Sequence, residues 1–336
     1  MTTNLDSQSQ LFLADLARVQ DRLSQAQRQI SSGKKVSVAS DEPAVVSQVL
    51  RLHSALQKNT QIQSNLAVAQ TAASVSDGAL TDAIQMLDRA RTLAGQGVTA
   101  TQDANSRLGL ASDIQALLEQ MVALSQTQSG GVYVFGGDQE TLASYQANLA
   151  NDNGVDRLVT TLATRMVENP AGGSFLASKT AEEIFDHRNL DDSLASDNVF
   201  AALNQLRLGL QNNDIPGINA AMSSLQQASD HLNAIQSFYG SVQNRIQDAV
   251  TFANKYDVQI RTELSQKEDA DVAAAALEMS QDTVQMQAAF QMQARIPRTT
   301  LFDFLRQAFP AACLRRHCFS TVHCRVRRSA EGVSVR

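Results

Sequence analysis

Apolar residues recur along most of this chain at alternating steps of three and four, the spacing that gathers them on one side of an α-helix. The most regular run is Tyr239, Val242, Ile246, Ala249, Ala253, Tyr256 and Ile260, continued by Leu264, and it predicts a coiled-coil helix. After SQKEDAD the pattern resumes as Val272, Ala276, Met279, Thr283, Met286 and Phe290, until Pro297 ends it. At the other end, Leu11, Leu16, Val19, Leu23, Ala26 and Ile30 predict an amphipathic helix within residues 1–36, stopped at Ser31-Ser32-Gly33.

A second long run starts at Val45 with Val49, Leu52 and Leu56, then slips to Ile62, Leu66, Ala69 and Ala73, and again to Leu80, Ile84 and Leu87. Such slips belong to a bundle rather than a strict two-stranded coil. Ser40 and Asp41 can cap this helix and Pro43 suits its first turn. Unbroken from Asp41 to Ala94, it would reach roughly 80 Å at about 1.5 Å per residue. Gly95 and Gly97 are expected to stop it, and a third helix over Ser106–Thr127 to turn back alongside. Further helices are expected over Asp197–Asn212 and from Asp214-Ile215-Pro216 onward.

The pattern changes at SGGVYVFGGDQ, residues 129–139, where alternation between glycine pairs predicts a β-hairpin. Residues 140–195 are mixed, with strand-like runs at Arg157–Leu162 and Arg165–Glu168 and a turn at Asn169-Pro170-Ala171-Gly172-Gly173. The fold class expected is mainly α: a long antiparallel helical bundle or coiled coil formed by the N- and C-terminal regions, with a small β-rich central insertion. The domains expected are 1–36 plus 272–306 (terminal coiled coil), 41–138 plus 197–268 (central bundle with the hairpin), 139–196 (outer, β-rich) and 307–336 (a disordered tail).

Composition narrows the class. The chain has no Trp, 5% aromatics and 5 Pro in 336 residues, and its apolar content is largely Ala, Leu and Val, which suits narrow helix seams better than a bulky core. No run approaches the roughly 20 apolar residues that cross a bilayer, and the N-terminus lacks the basic start and apolar stretch of a secretory signal. The tail from Gln307 carries six of the 28 basic residues and one of the 34 acidic ones, which leaves residues 1–306 at net −11 and unsuited to nucleic acid. All three cysteines, Cys313, Cys318 and Cys324, lie in that tail; with His317 and His323 they lack the paired spacing of a zinc site.

No catalytic constellation is legible, and no cofactor or metal is expected. Asp113, Glu119, Glu268, Asp269 and Asp271 read as charges at helix ends and on solvated faces. His53 and His231 each stand alone on a long helix, and the glycine pairs lack the Lys-Ser/Thr of a phosphate loop. Gly33 and Pro43 bracket either an ordinary helix–helix loop or a hinge, in which Lys34 and Lys35 stand opposite Asp41 and Glu42 and can form ion pairs between subunits.

Several words in the chain resemble the bacterial flagellin family. At the N-terminus these are Ser32-Gly33-Lys34-Lys35-Val36 and Ser40-Asp41-Glu42-Pro43; at the C-terminus, Asn244-Arg245, Glu268-Asp269-Ala270-Asp271 and Leu301-Phe302-Asp303-Phe304-Leu305-Arg306. The resemblance covers residues 1–138 and 200–306. Gly131-Val132-Tyr133-Val134-Phe135-Gly136-Gly137 and the ending Asp303-Phe304-Leu305-Arg306 are more similar to the branch that joins hook to filament than to the bulk filament subunit.

The resemblance implies a self-assembling structural part of the bacterial flagellum, not an enzyme. It implies export by the flagellar type III apparatus without a cleaved signal peptide and an extracellular location. The partners implied are copies of itself, a hook-side junction protein, filament flagellin and an export chaperone, with no nucleic acid and no membrane. Alternatives are filament flagellin proper and a non-flagellar helical adaptor. The assembly residues implied are Ser32, Gly33, Lys34, Lys35, Asp41, Glu42, Pro43, Tyr133, Phe135, Gly136, Asn244, Arg245, Asp269, Asp271, Phe304 and Leu305. Family members end near the position of Arg306, so residues 307–336 read either as a frameshifted or read-through end or as a genuine tail.

Overall fold

The computed structural model describes residues 7–36, 43–99, 102–161 and 163–295. Asp41, Glu42, Phe304, Leu305 and the whole arginine-rich tail lie outside the described residues. The chain divides into two compact units, one made of Met1–Gln27 with Ala273–Arg336 and the other of Arg28–Val272. The fold is mainly helical, with small antiparallel strand pairs in its middle.

The first unit pairs α1 (Ser7–Ser32) with α7 (Val272–Arg295), antiparallel. Phe12, Leu16 and Val19 line a groove of about 370 Å³ together with Met286, Ala289 and Met292. The seam differs from the expected one at two places. On α1 it starts at Phe12, since Leu11 is 65% exposed. On α7 it runs Ala275, Met279, Asp282, Met286 and Ala289, while Val272, Ala276 and Phe290 are exposed.

The reason is a carboxylate at a seam position. Asp282 is buried at 2% exposure and receives Arg22, whose Nη2 donates to Oδ1 at 2.8 Å and whose Nε donates to Oδ2 at 3.3 Å. The hydrogen bond and the charge of Asp282 hold the Arg22 guanidinium above its ordinary pKa. The two partners are not equivalent: Arg22 is half-exposed and can be rehydrated, whereas Asp282 cannot. Arg22→Ala is therefore expected to reduce amide protection across α1 and α7 more than Asp282→Ala, measured by hydrogen exchange; equal losses would contradict the assignment.

The second unit is organised by α2 (Pro43–Val98) and α6 (Ile215–Glu268), packed antiparallel. Asn59 Nδ2 donates to the Ala253 carbonyl at 2.9 Å and Gln236 Nε2 to Thr81 Oγ1 at 2.9 Å, which fixes the direction. At about 1.5 Å per residue α2 reaches roughly 84 Å. Alanines 69, 73, 83, 90 and 94 alternate with Leu66, Leu80 and Leu87 in its buried stripe, and small side chains let the helices approach closely. On α6 the expected run is buried from Tyr239 through Ile260, apart from a half-buried Tyr256.

Gly95 and Gly97 do not stop α2, which ends at Val98. A Cβ on Gly97 would sit 2.5 Å from Leu210 Cδ2, so the glycine serves close packing on α5 (Val199–Gln211). The last carbonyls of α2 are satisfied by a buried arginine on α3 (Ala104–Ser125). Arg107 Nε donates to Gly97 O at 2.7 Å and Nη2 to Thr99 O at 3.3 Å. Tertiary partners thus outweigh the low helix propensity of glycine.

Between α3 and α5 lie β1 (Gln128–Ser129) with β2 (Val132–Tyr133), β3 (Tyr145–Ala147) with β4 (Val155–Arg157), and β5 (Met166–Glu168) with β6 (Ser174–Leu176), followed by α4 (Ala181–Ile184). Arg157 closes β4 rather than opening a strand, because the pairing with β3 spans Val155–Arg157. The few aromatic residues concentrate here. Tyr145 packs on Phe200 at 5.3 Å, Phe200 on Phe185 at 5.9 Å and Phe185 on Phe135 at 5.6 Å between ring centroids. No described helix is long and apolar enough to cross a membrane.

Candidate assembly site

The two sets of terminal words meet as backbone partners. At the end of α1, Ser32 Oγ donates to the Arg28 carbonyl at 2.7 Å and accepts from the Lys34 N–H at 3.2 Å. Gly33 then turns the chain with φ +69°, a left-handed conformation that glycine adopts without steric cost. The following residues extend along the break between α6 and α7. The Lys35 N–H donates to the Glu268 carbonyl at 2.6 Å, and the Ala270 N–H to the Gly33 carbonyl at 2.9 Å, giving an antiparallel bridge between Lys34 and Asp269.

Asp269 leaves helical geometry at φ −74°, ψ 138°, and its carboxylate accepts from Ser265 Oγ at 2.5 Å. Between these strands sits Glu268, which departs from expectation. Its side chain is 8% exposed rather than solvated, with Oε1 ion-paired to Lys34 Nζ and Oε2 3.1 Å from His53 Nε2. Lys34 thus finds a carboxylate within its own chain, and His53 does not stand alone. A pairing partner more than 200 residues away leaves no trace in a helical periodicity.

The second set of expected residues fastens the insertion to the helices. Gly130 (φ +61°) and Gly131 (φ +84°) form the two-residue turn between β1 and β2, both in the left-handed region that such hairpins require. The Tyr133 N–H donates to the Glu140 carbonyl at 2.8 Å. Phe135 is fully buried, edge-on to Phe185 and to Tyr239, and its carbonyl accepts from the Ala181 N–H at 2.8 Å. A Cβ on Gly136 would lie 2.8 Å from Glu140 Cα, so only glycine fits that corner. On α6, the Arg245 guanidinium lies over the Phe175 ring at 4.7 Å and ties the β5–β6 hairpin down, while Asn244 is exposed.

Two features were not legible in the sequence. Asp186 is fully buried and accepts from Asn153 Nδ2 at 3.0 Å, Asn198 Nδ2 at 2.8 Å and Arg188 Nε at 2.9 Å, which joins the loop before α5 to the loop after β3. His231, expected to stand alone, stacks on His187 with ring centroids 4.9 Å apart and planes 5° from parallel, and Asp197 lies against both. These three could hold a metal ion. The available signal was the proximity of Asp186-His187-Arg188 to Asp197-Asn198, two short polar words ten residues apart inside a helical protein.

Comparison with known proteins agrees with this architecture. The family model for the bacterial flagellin N-terminal helical region matches residues 3–140, and that for the C-terminal helical region matches residues 222–305, together most of the chain. The flagellar hook-associated protein 3 of Salmonella typhimurium is 27% identical over 212 residues, 61% of this chain and 65% of that protein. The phase 1 flagellin of Salmonella naestved is 30% identical over 146 residues, 43% of this chain and 29% of that flagellin. The matches thus span less than two thirds of either relative. The solved structure of flagellar hook associated protein-3 from Legionella pneumophila shares the fold, with a TM-score of 0.53 at 15% identity over 65% of this chain and 98% of that one. Both helical regions occur in the family's order on either side of a middle that neither model matches, and the chain belongs to the bacterial flagellin family.

Proposed function

We propose that this chain is a self-assembling structural subunit of the junction between flagellar hook and filament, without catalytic activity. Its partners in that role are copies of itself, a hook-side junction protein and filament flagellin. An export chaperone delivers it to the type III apparatus, and it works outside the cell.

The observation that carries the reading is the unfinished burial of the terminal helices. Leu11 and Leu13 on α1 and Leu277, Val284, Phe290 and Met292 on α7 are exposed although their helices are already paired. A two-helix pair buries too little apolar surface to offset its ordering entropy, so neighbours that cover those side chains supply the remainder. The likeness to hook-associated protein 3 over more of this chain than to flagellin favours the junction over the filament.

Immunogold labelling of isolated flagella tests the proposal. A single band of label beside the hook is expected. Label along the whole length would assign the chain to the filament, and unlabelled flagella with unchanged cytoplasmic protein in an export mutant would overturn a flagellar role.

A further inference from the structure

We propose that His187, Asp197 and His231 form a binding site for a divalent transition metal, zinc foremost. The three residues come from separate segments: His187 from the loop after α4, Asp197 from the loop before α5, and His231 from the first third of α6. His187 Nδ1 lies 2.7 Å from Asp197 Oδ1, and His231 Nδ1 lies 3.4 Å from Asp197 Oδ2. Donors bound to one tetrahedral zinc at about 2.0–2.1 Å lie roughly 3.3 Å from each other; the two imidazole–carboxylate spacings, to different oxygens of Asp197, bracket that value, and one ligand atom from each of the three residues lies within 4.8 Å of the others.

The tautomer of His231 strengthens the assignment. Its Nε2 is 2.9 Å from the Glu183 carbonyl oxygen, which only accepts, so Nε2 carries the hydrogen. In the neutral ring the bare Nδ1 then lies 3.4 Å from a carboxylate oxygen, a repulsive arrangement that an electrophile between them turns into attraction. A histidine whose second N–H is donated to a backbone carbonyl is the usual form of a metal-ligating imidazole.

The scaffold around the cluster is rigid. Asn198 Nδ2 bridges the buried Asp186 carboxylate and the His187 carbonyl, at 2.8 and 3.0 Å, and the Ala195 N–H donates to the same carbonyl at 3.1 Å. These bonds hold the backbone on either side of His187 and Asp197 before any ion arrives. A cleft of about 610 Å³, lined in part by Glu183 and His187, opens to solvent on the His187 side of the cluster. Two imidazoles and one carboxylate suit zinc, nickel and copper rather than magnesium or calcium. The bound ion staples the insertion to α6 and stabilises the folded state by mass action.

The test uses the full chain with Cys313, Cys318 and Cys324 replaced by Ser, so that tail thiols do not compete. Zinc titration after chelator dialysis is expected to give one site with micromolar affinity and a rise in Tm. His187→Ala and Asp197→Asn are each expected to weaken binding by roughly tenfold or more, with the metal-free Tm little changed, while His53→Gln leaves binding intact. If a variant misfolds, NMR of the parent decides, since zinc should shift the ring C–H signals of His187 and His231 together. Absence of binding, equal binding in the variants, or unmoved signals of these two rings would overturn the proposal.

Discussion

Asp186→Ala is expected to lower the stability of the second unit by about 3–5 kcal/mol, the usual cost of removing one partner of a buried ion pair. The carboxylate is fully buried, and its loss takes one partner from the largely covered Arg188 guanidinium, which keeps only Asp192 among the described residues, and from the amides of Asn153 and Asn198. Asn198 also caps α5, its Oδ1 accepting from the Ala201 N–H at 2.9 Å, so a displaced Asn198 weakens the start of that helix. Urea titration followed by tyrosine fluorescence reads this directly, because the chain has no Trp and Tyr145 packs on Phe200 beside the network. A midpoint within error of the parent would show that Asp186 is dispensable.

Ile246→Asp is the second large effect. Ile246 is fully buried in the seam between α2 and α6, and its neighbours along the α6 stripe, Val242 and Ala249, are apolar. A carboxylate placed there loses its hydration without a compensating partner and shifts toward its neutral form, at a cost of several kcal/mol. Because α2 and α6 make the most extensive contact between elements, the loss spreads along both helices. Far-UV circular dichroism should show reduced helicity and a much lower Tm, whereas Ile246→Val should cost only about 0.5–1.5 kcal/mol. Unaltered melting of the Asp variant would place Ile246 outside the seam.

The long helices were legible because their stripes are built from ordinary apolar residues at unbroken spacing. The α6 run from Tyr239 to Ile260 is an example, and so is the passage of α2 through two register slips, where Asn59 takes a buried place by bonding to the Ala253 carbonyl. The α7 seam passes one position before Ala276, Thr283 and Phe290, because it includes an acidic residue that apolar spacing does not count. The gap of seven between Met279 and Met286 marks Asp282 as a seam residue, but only Arg22 on another helix makes that position tolerable.

Of the small strands, the β1–β2 hairpin, the run at Arg165–Glu168 and the turn after it were legible, while β3, β6 and the bounds of β4 were not, for a different reason. Two or three residues hold too little alternation to reveal a pairing, and it is the Phe135–Phe185–Phe200 packing that sets them in place. The words Ser32-Gly33-Lys34-Lys35 and Glu268-Asp269-Ala270 were visible, yet their direct pairing and the burial of Glu268 depend on a contact between distant parts of the chain. The histidine cluster is the same case.

Asp282 has one more consequence. Sliding α1 by a heptad along α7 would bring Asp15 or Gln29 to that carboxylate in place of a cation, while Arg22 moved about 10 Å away. Uniform seams tolerate such displacement; this one carries a notch that admits a single alignment. One ion pair thus sets the axial alignment of the two helices within the molecule.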